Sequence, residues 1–286
     1  MDTQAAERGV ALVTGASSGI GAVYADRLAA RGHDLVLVAR RADRMHALAS
    51  RIASVHGVAV RPLVADLSTG PGIASVEALL DTDARVTMLV NNAGVSRLGR
   101  YIDLSAADHN GLLMVNAVAP SRLARAAMVA FIARDEGTIV NIASANAVHP
   151  YPGTALYSAT KAFVLSLSLG LQREVEGTGV TVQAVLPAST ATEAWDGMGI
   201  DLKDLPPETV MSAEAMVDAA LTGLYAGEAV TFPSVADPVA WESHSSASRD
   251  LFAAAQTGTP APRYREASPT ARLQRHAGLV REEARS

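Results

Sequence analysis

Tyr157 and Lys161 stand four positions apart in the segment Tyr157-Ser158-Ala159-Thr160-Lys161. On a helix that spacing puts a phenol and an ammonium on one face, about one turn apart. The pair is chemically useful because a free phenol titrates near pH 10, and each pKa unit is worth roughly 1.4 kcal/mol. Bringing the phenol to about 7 therefore needs roughly 4 kcal/mol in favour of phenolate. One cation at about 4 Å supplies that order of energy at an effective dielectric near 20. Taken alone, Tyr-x-x-x-Lys is equally a surface lysine one turn from a half-buried tyrosine, so the rest of the chain must decide.

A second chemical signal lies near the N-terminus. The apolar run Val10–Val13 leads into Thr14-Gly15-Ala16-Ser17-Ser18-Gly19-Ile20-Gly21 and then a helical stretch. Glycines after a strand let the backbone approach a pyrophosphate, and a helix start offers unpaired N–H groups. The spacing is Gly-x-x-x-Gly-x-Gly, not the standard Gly-x-Gly-x-x-Gly. About twenty residues on, an NAD site would carry an acid for the ribose 2′-hydroxyl, whereas an NADP site carries arginine. This chain has Ala39, then Arg40 and Arg41. An arginine–phosphate bond of about 1.5–3 kcal/mol gives NADP a roughly tenfold to hundredfold preference. Two cations at a helix start are mildly unfavourable unless they have a partner. Arg40 is the principal candidate and Arg41 a helper.

The elements that must position these groups alternate short β-branched runs with longer helical stretches. Strands are expected at Val10–Val13, Leu35–Ala39, Val58–Val64, Thr87–Val90, Thr138–Ile142 and Val180–Leu186, with a seventh at Ala229–Phe232. Helices are expected at Gly19–Arg31, Arg41–His56, Gly72–Leu80, Ala106–Ala133, Tyr157–Glu176 and Ala213–Ala226, the last capped by Ser212. The pattern predicts an α/β fold: a doubly wound, Rossmann-type parallel sheet of about seven strands with helices on both faces. Residues 1–256 are expected to form a single catalytic domain, including a lid over 188–211. The stretch Trp241–Ala255 is expected to be a short helix. Residues 257–286 are rich in Pro, Ala, Arg and Glu without apolar period, and read as a flexible tail.

The totals fit that frame. The chain has 286 residues, 49% of them hydrophobic, with a formal net charge of −5 and no cysteine. The charge argues against nucleic-acid binding, and the lack of cysteine excludes disulfide and thiolate chemistry. No cluster of His and acids has metal-ligand spacing, so no metal is expected. With no apolar signal core near Met1, the chain reads as cytoplasmic and not membrane-bound.

Six motifs in order now make a resemblance specific: Thr14-Gly15-x-x-x-Gly19-x-Gly21, Asp66-Leu67, Asn91-Asn92-Ala93-Gly94, Asn116, Ser144 and Tyr157-x-x-x-Lys161, with Ser144 thirteen residues before Tyr157. Over about residues 8–232 the chain resembles a single-domain short-chain dehydrogenase/reductase. The resemblance implies catalytic roles for Asn116, Ser144, Tyr157 and Lys161. Tyr157 would be the acid/base and Ser144 the holder of the substrate oxygen. Asn116 would distort its helix to hold a water in a proton relay to Lys161. It implies that Asp66 and Leu67 meet the adenine, that Asn92, Ala93 and Gly94 lie beside the cofactor, and that Lys161 bonds the nicotinamide ribose. Pro187, Thr190 and Thr192 would contact the nicotinamide end. Ala188 departs from the family's usual glycine after Pro187, which leaves open which threonine serves the cofactor.

Pocket walls are expected at Val95, Ser96, His149, Tyr151, Pro152, Ala188, Trp195 and Met198, mostly apolar and aromatic. The expected activity is NADPH-dependent hydride transfer to or from a carbonyl or secondary alcohol, a neutral hydrophobic ketone first. The alternatives are a 3-oxoacyl-carrier reductase, with Arg97 and Arg100 as thin support for a docking patch, and an NADP-binding sensor without turnover. The family resemblance also implies a homodimer or homotetramer through the Ala106–Ala133 and Tyr157–Glu176 helices.

Overall fold

The computed structural model describes residues 9–197 and 202–265. Six strands form most of one parallel sheet: β1 (Val10–Thr14), β2 (Asp34–Ala39), β3 (Val60–Val64), β4 (Val86–Asn91), β5 (Gly137–Ile142) and β6 (Val180–Val185). A short pair, β7 (Thr190–Ala191) and β8 (Met211–Ser212), stands apart. β9 (Val230–Thr231) completes the seven-stranded sheet, whose order is β3-β2-β1-β4-β5-β6-β9. The order reverses between β1 and β4, and the crevice beyond the carboxyl ends of those strands is where open α/β sheets bind ligands. Pro62 sits on β3, the edge strand, where its missing N–H costs the ladder least.

Strand alternation divides the core. Ala11 and Val13 of β1, with Leu35 and Leu37 of β2, face α1 (Gly19–Ala29) and α2 (Ala42–His56). Leu12, Val36 and Val38 face the opposite side, toward α3 (Gly70–Thr82). Between β4 and β5 the chain runs through α4 (Ala106–Leu113), a π-helical turn at Met114–Val118, and α5 (Ala119–Arg134). The run Ala106–Arg134 is long and apolar enough to span a bilayer, yet more than half of its most apolar stretch is buried in this core. α6 (Ala155–Glu174) follows β5, and α7 (Ala213–Tyr225) packs with α1 on the first face. Ser212 caps α7 as expected, accepting the Ala215 N–H at 3.0 Å, a bond worth about 1 kcal/mol. Arg27 on α1 meets Asp218 on α7 through two nitrogens, at 2.7 and 3.2 Å.

Among the described residues the chain divides into two compact units, one ending at Ser234 and one beginning at Val235. The break falls before the expected domain end at residue 256. The second unit contains α8 (Val239–Ala255), which matches the short helix expected at Trp241–Ala255. Residues 266–286 of the expected tail lie outside the described residues.

Candidate active site

The crevice at the topological switch is built by β1 and β4 together. Thr14, buried at the end of β1, accepts the N–H groups of Asn92 and Ala93, each at 3.0 Å, and donates to Val90 O at 3.2 Å. Asn92 donates in return to Thr14 O at 2.8 Å. These two side chains thus fasten the strand ends to each other and are spent on protein. The glycines between them fit no other residue. Gly15 has φ +67°, and a Cβ there would stand 2.8 Å from Ala93 Cα. A Cβ on Gly21 would stand 2.4 Å from Gly15 O, closer than a packed backbone admits. Gly19 has φ +53° and opens α1, whose N-cap Ser18 makes no side-chain cap bond. Ile20 turns inward onto the core of that face.

A cleft of about 320 Å³ runs from Gly15, Ser17 and Ser18 past Arg40, Arg41, Asp66 and Leu67 to Ala93, Gly94 and Val95. Its floor accepts close backbone approach and its rim supplies hydroxyls, a helix start and guanidinium groups, the donor set that a dinucleotide pyrophosphate and an adenosine phosphate require. Asp66 accepts the N–H of Ser68 at 2.9 Å and the Ser68 hydroxyl at 2.8 Å. Those bonds, with the nearby Arg40 charge, hold its carboxyl below the ordinary range. Asp66 therefore serves the turn after β3 as well as lining the cleft.

The two arginines are not equivalent. Arg41 donates to Ser17 Oγ at 3.0 Å, to Ser18 Oγ at 2.6 Å and to Glu193 Oε2 at 3.3 Å. Arg40 is exposed and makes no hydrogen bond or ion pair with any described residue. Glu193 and Arg44, which pair with each other, were not legible as site residues. A lone acid after Thr192 does not reveal a partner 149 positions upstream.

The chemical quartet adjoins the cleft at Gly94, which lies beside Asn116 and Lys161. Ser144 closes β5 and begins a short turn, accepting the Asn146 N–H at 3.1 Å. Its hydroxyl is near enough to the Tyr157 hydroxyl to act against the rise in that phenol's pKa. Lys161, buried, lies 5.8 Å from the Tyr157 ring centroid and donates to Ile142 O at 2.9 Å. Asn116 lies in the π-helical turn, as the resemblance implied. Such turns insert one extra residue and shift backbone partners. Its side-chain amide is fully engaged: it accepts the Val95 N–H at 2.8 Å and donates to Val95 O at 2.8 Å and Thr160 Oγ1 at 3.2 Å. Gly94 lies under both groups, since a Cβ there would stand 3.6 Å from Asn116 Oδ1 and from Lys161 Nζ.

Burial alters the electrostatics expected from spacing alone. The Tyr157 phenol is pushed up, because desolvation of the phenolate outweighs the Ser144 hydrogen bond. Lys161 is brought down to about 8 by its own burial. The Coulomb argument at about 4 Å thus overstated what Lys161 does for Tyr157 in the protein by itself: desolvation is the larger effect on the phenol, and the ammonium donates to a carbonyl.

One consequence is measurable. The unfolded chain holds the Lys161 proton up to about pH 10.5, whereas the folded chain releases it near 8. Below 8 both states are protonated and the burial penalty is complete. Between 8 and 10 the unfolded state binds more protons, so stability rises with pH. Relative to Lys161→Met, the cofactor-free protein is expected to gain roughly 2 kcal/mol across that window. Urea unfolding at stepped pH reads this directly, and a flat difference between the two proteins would remove burial as the cause.

A family model for short chain dehydrogenase matches residues 9–201. The chain belongs to the short-chain dehydrogenase family. That family comprises oxidoreductases acting on CH–OH and C=O groups. Among its solved members, a short-chain dehydrogenase from Sphingobium yanoikuyae in complex with NADPH is 45% identical, with a TM-score of 0.87 over 90% of this chain and 100% of that one. The bulky-bulky ketone specific alcohol dehydrogenase from Comamonas testosteroni is 41% identical, with a TM-score of 0.83 over 90% and 98%. A very-long-chain 3-oxoacyl-CoA reductase from Danio rerio is 34% identical over 187 residues, 64% of this chain and 60% of the relative. The chain thus spans about three-fifths of the length of such curated relatives.

In this short-chain dehydrogenase the segment after β6 is ordered by backbone contacts. Pro187 O accepts the Ala145 N–H at 2.8 Å, which ties the segment to Ser144. Thr190 is buried, and its hydroxyl donates to Ala188 O at 3.2 Å. Thr192 lies over Gly19, where a Cβ would stand 3.0 Å from its Cγ2. Trp195 donates its indole N–H to Thr190 O at 2.8 Å. Of the expected pocket walls, Val95 lines the cleft and Ser96 is half-buried beside it. Ala188, His149, Tyr151 and Pro152 are exposed, Tyr151 at 68%. Met198 lies outside the described residues.

Proposed function

We propose that this protein is an NADPH-dependent carbonyl reductase acting on a neutral, hydrophobic ketone. The observation that carries the reading is a cleft whose rim carries the unengaged Arg40 and whose Gly94 end adjoins Asn116 and Lys161, with the Tyr157 ring 5.8 Å from that lysine. Bound NADPH supplies the hydride that the carbonyl carbon accepts. The protein supplies placement and protons. Tyr157, kept protonated by its burial, donates to the developing alkoxide oxygen. Ser144 holds that oxygen with its hydroxyl. Lys161 stands near the phenol ring and would bond the ribose hydroxyls of a bound cofactor, while Asn116, in the π turn that would frame the proton path, fixes the Val95 backbone.

Arg40 supports NADPH over NADH, as does the NADPH complex of the Sphingobium relative. Val95, which lines the cleft, offers apolar surface. The likeness to a bulky-bulky ketone specific enzyme points the same way. The 3-oxoacyl reading draws on the reductases of that name, but its docking cations are already neutralised. Arg97 pairs with Asp108 at 3.1 Å and Arg100 with Asp103 at 2.7 Å. The complete quartet argues against a sensor without turnover. A homo-oligomer is part of the proposal, because α5 and α6 leave Val129, Ile132 and Phe163 outside at 59%, 44% and 43% exposure. The test of substrate class is loss of NADPH absorbance with a panel of ketones. Ketones with two bulky apolar groups are expected to react faster than small or anionic ones; the reverse ranking would refute the substrate reading.

A further inference from the structure

Glu193 is the residue of this cleft that neither the catalytic quartet nor the glycine loop accounts for. It begins a short helical turn, Glu193–Gly197, just after β7, and lines the cleft beside Ser17, Arg40 and Arg41. Its Oε2 lies 3.3 Å from Arg41 Nη1 and also accepts Arg44 Nη1. The carboxylate of a segment that follows β6 thus occupies the cationic rim of the loop that follows β1. The side chains of this trio are 45–51% exposed, and exposed pairs contribute at most about 1 kcal/mol to folding. Fold stability is a weak reason for the arrangement. Arg41 also keeps its place without Glu193, since Ser17 Oγ and Ser18 Oγ accept from it at 3.0 and 2.6 Å.

We propose that Glu193 is an internal competitor for the arginines that receive a 2′-phosphate, and that its carboxylate sets how strongly the cleft prefers a phosphorylated adenosine over an unphosphorylated one. The inference rests on the NADPH reading given above. Arg40 is open to a phosphate at once, whereas Arg41 is open only when Glu193 yields it. A dianion arriving beside Glu193 meets like charge until the carboxylate moves away. Neutralising Glu193 while keeping its shape therefore strengthens binding of the 2′-phosphate selectively. Because Glu193 opens the turn whose Trp195 N–H bonds Thr192 O at 3.3 Å, its displacement also loosens that turn.

The test is titration calorimetry with adenosine 2′,5′-bisphosphate and with ADP, on wild-type protein, Glu193→Gln and Glu193→Ala. No turnover is required. Both variants are expected to bind the 2′,5′-bisphosphate about three- to fivefold more tightly, the upper end matching about 1 kcal/mol, with ADP affinity unchanged. Hydrogen exchange at residues 192–195 is expected to quicken when the 2′,5′-bisphosphate binds wild-type protein and not when ADP does. Equal tightening for both ligands, or none, in proteins that prefer the 2′,5′-bisphosphate would overturn the role of Glu193 and leave the NADPH reading standing. Wild-type protein that binds the two ligands equally would overturn both.

Discussion

Tyr157→Phe is expected to lower kcat for ketone reduction about 10²- to 10⁴-fold, the span of a positioned general acid, with NADPH affinity close to wild type. The substitution keeps the ring that stands 5.8 Å from Lys161 and removes the hydroxyl that Ser144 engages. Without that hydroxyl the developing alkoxide meets only the Ser144 hydroxyl, a hydrogen-bond donor too weakly acidic to surrender its proton near neutrality. Lys161 does not replace it, because its ammonium is buried against Ile142 O. Pre-steady-state mixing separates the loss from product release. A variant with kcat near wild type would mean that the proton comes from another group.

Arg40→Ala is expected to lower kcat/KM with NADPH roughly ten- to a hundredfold, the worth of one charge-assisted bond of about 1.5–3 kcal/mol. Activity with NADH is expected to change little. The difference arises because Arg40 is exposed and uncommitted, whereas Arg41 is shared among Ser17, Ser18 and Glu193. Arg41→Ala should therefore act on both cofactors, since it unfastens the serines of the glycine loop as well. Equal losses with NADPH and NADH for Arg40→Ala would remove it as the phosphate partner.

The strand and helix order was legible because β-branched runs and longer periodic stretches alternate cleanly, and Ser212 announced the start of α7. The glycine loop was legible for a local reason: Gly15 and Gly21 sit where a Cβ has no room. The distortion around Asn116 came from resemblance, and the structure shows its form as a π turn clamped to Val95. What stayed hidden depends on distances across the fold. Residue types show neither that Thr14 and Asn92 are spent on each other's strands nor that Tyr157 is driven upward by burial. The four-residue spacing of Tyr157 and Lys161 gave the face they share but not the carbonyl of Ile142 that takes a bond from the ammonium. Glu193 was invisible because its partners arrive from 149 and 152 positions upstream.

The central claim is hydride transfer from the nicotinamide C4 to a carbonyl carbon at this site. It is tested most directly by running the wild-type protein with a bulky neutral ketone and NADPH carrying deuterium at both C4 positions, then taking the mass and NMR spectra of the alcohol. The account predicts one deuterium, on the carbinol carbon. An alcohol without deuterium, or no alcohol across the ketone panel while NADPH binds, would contradict it.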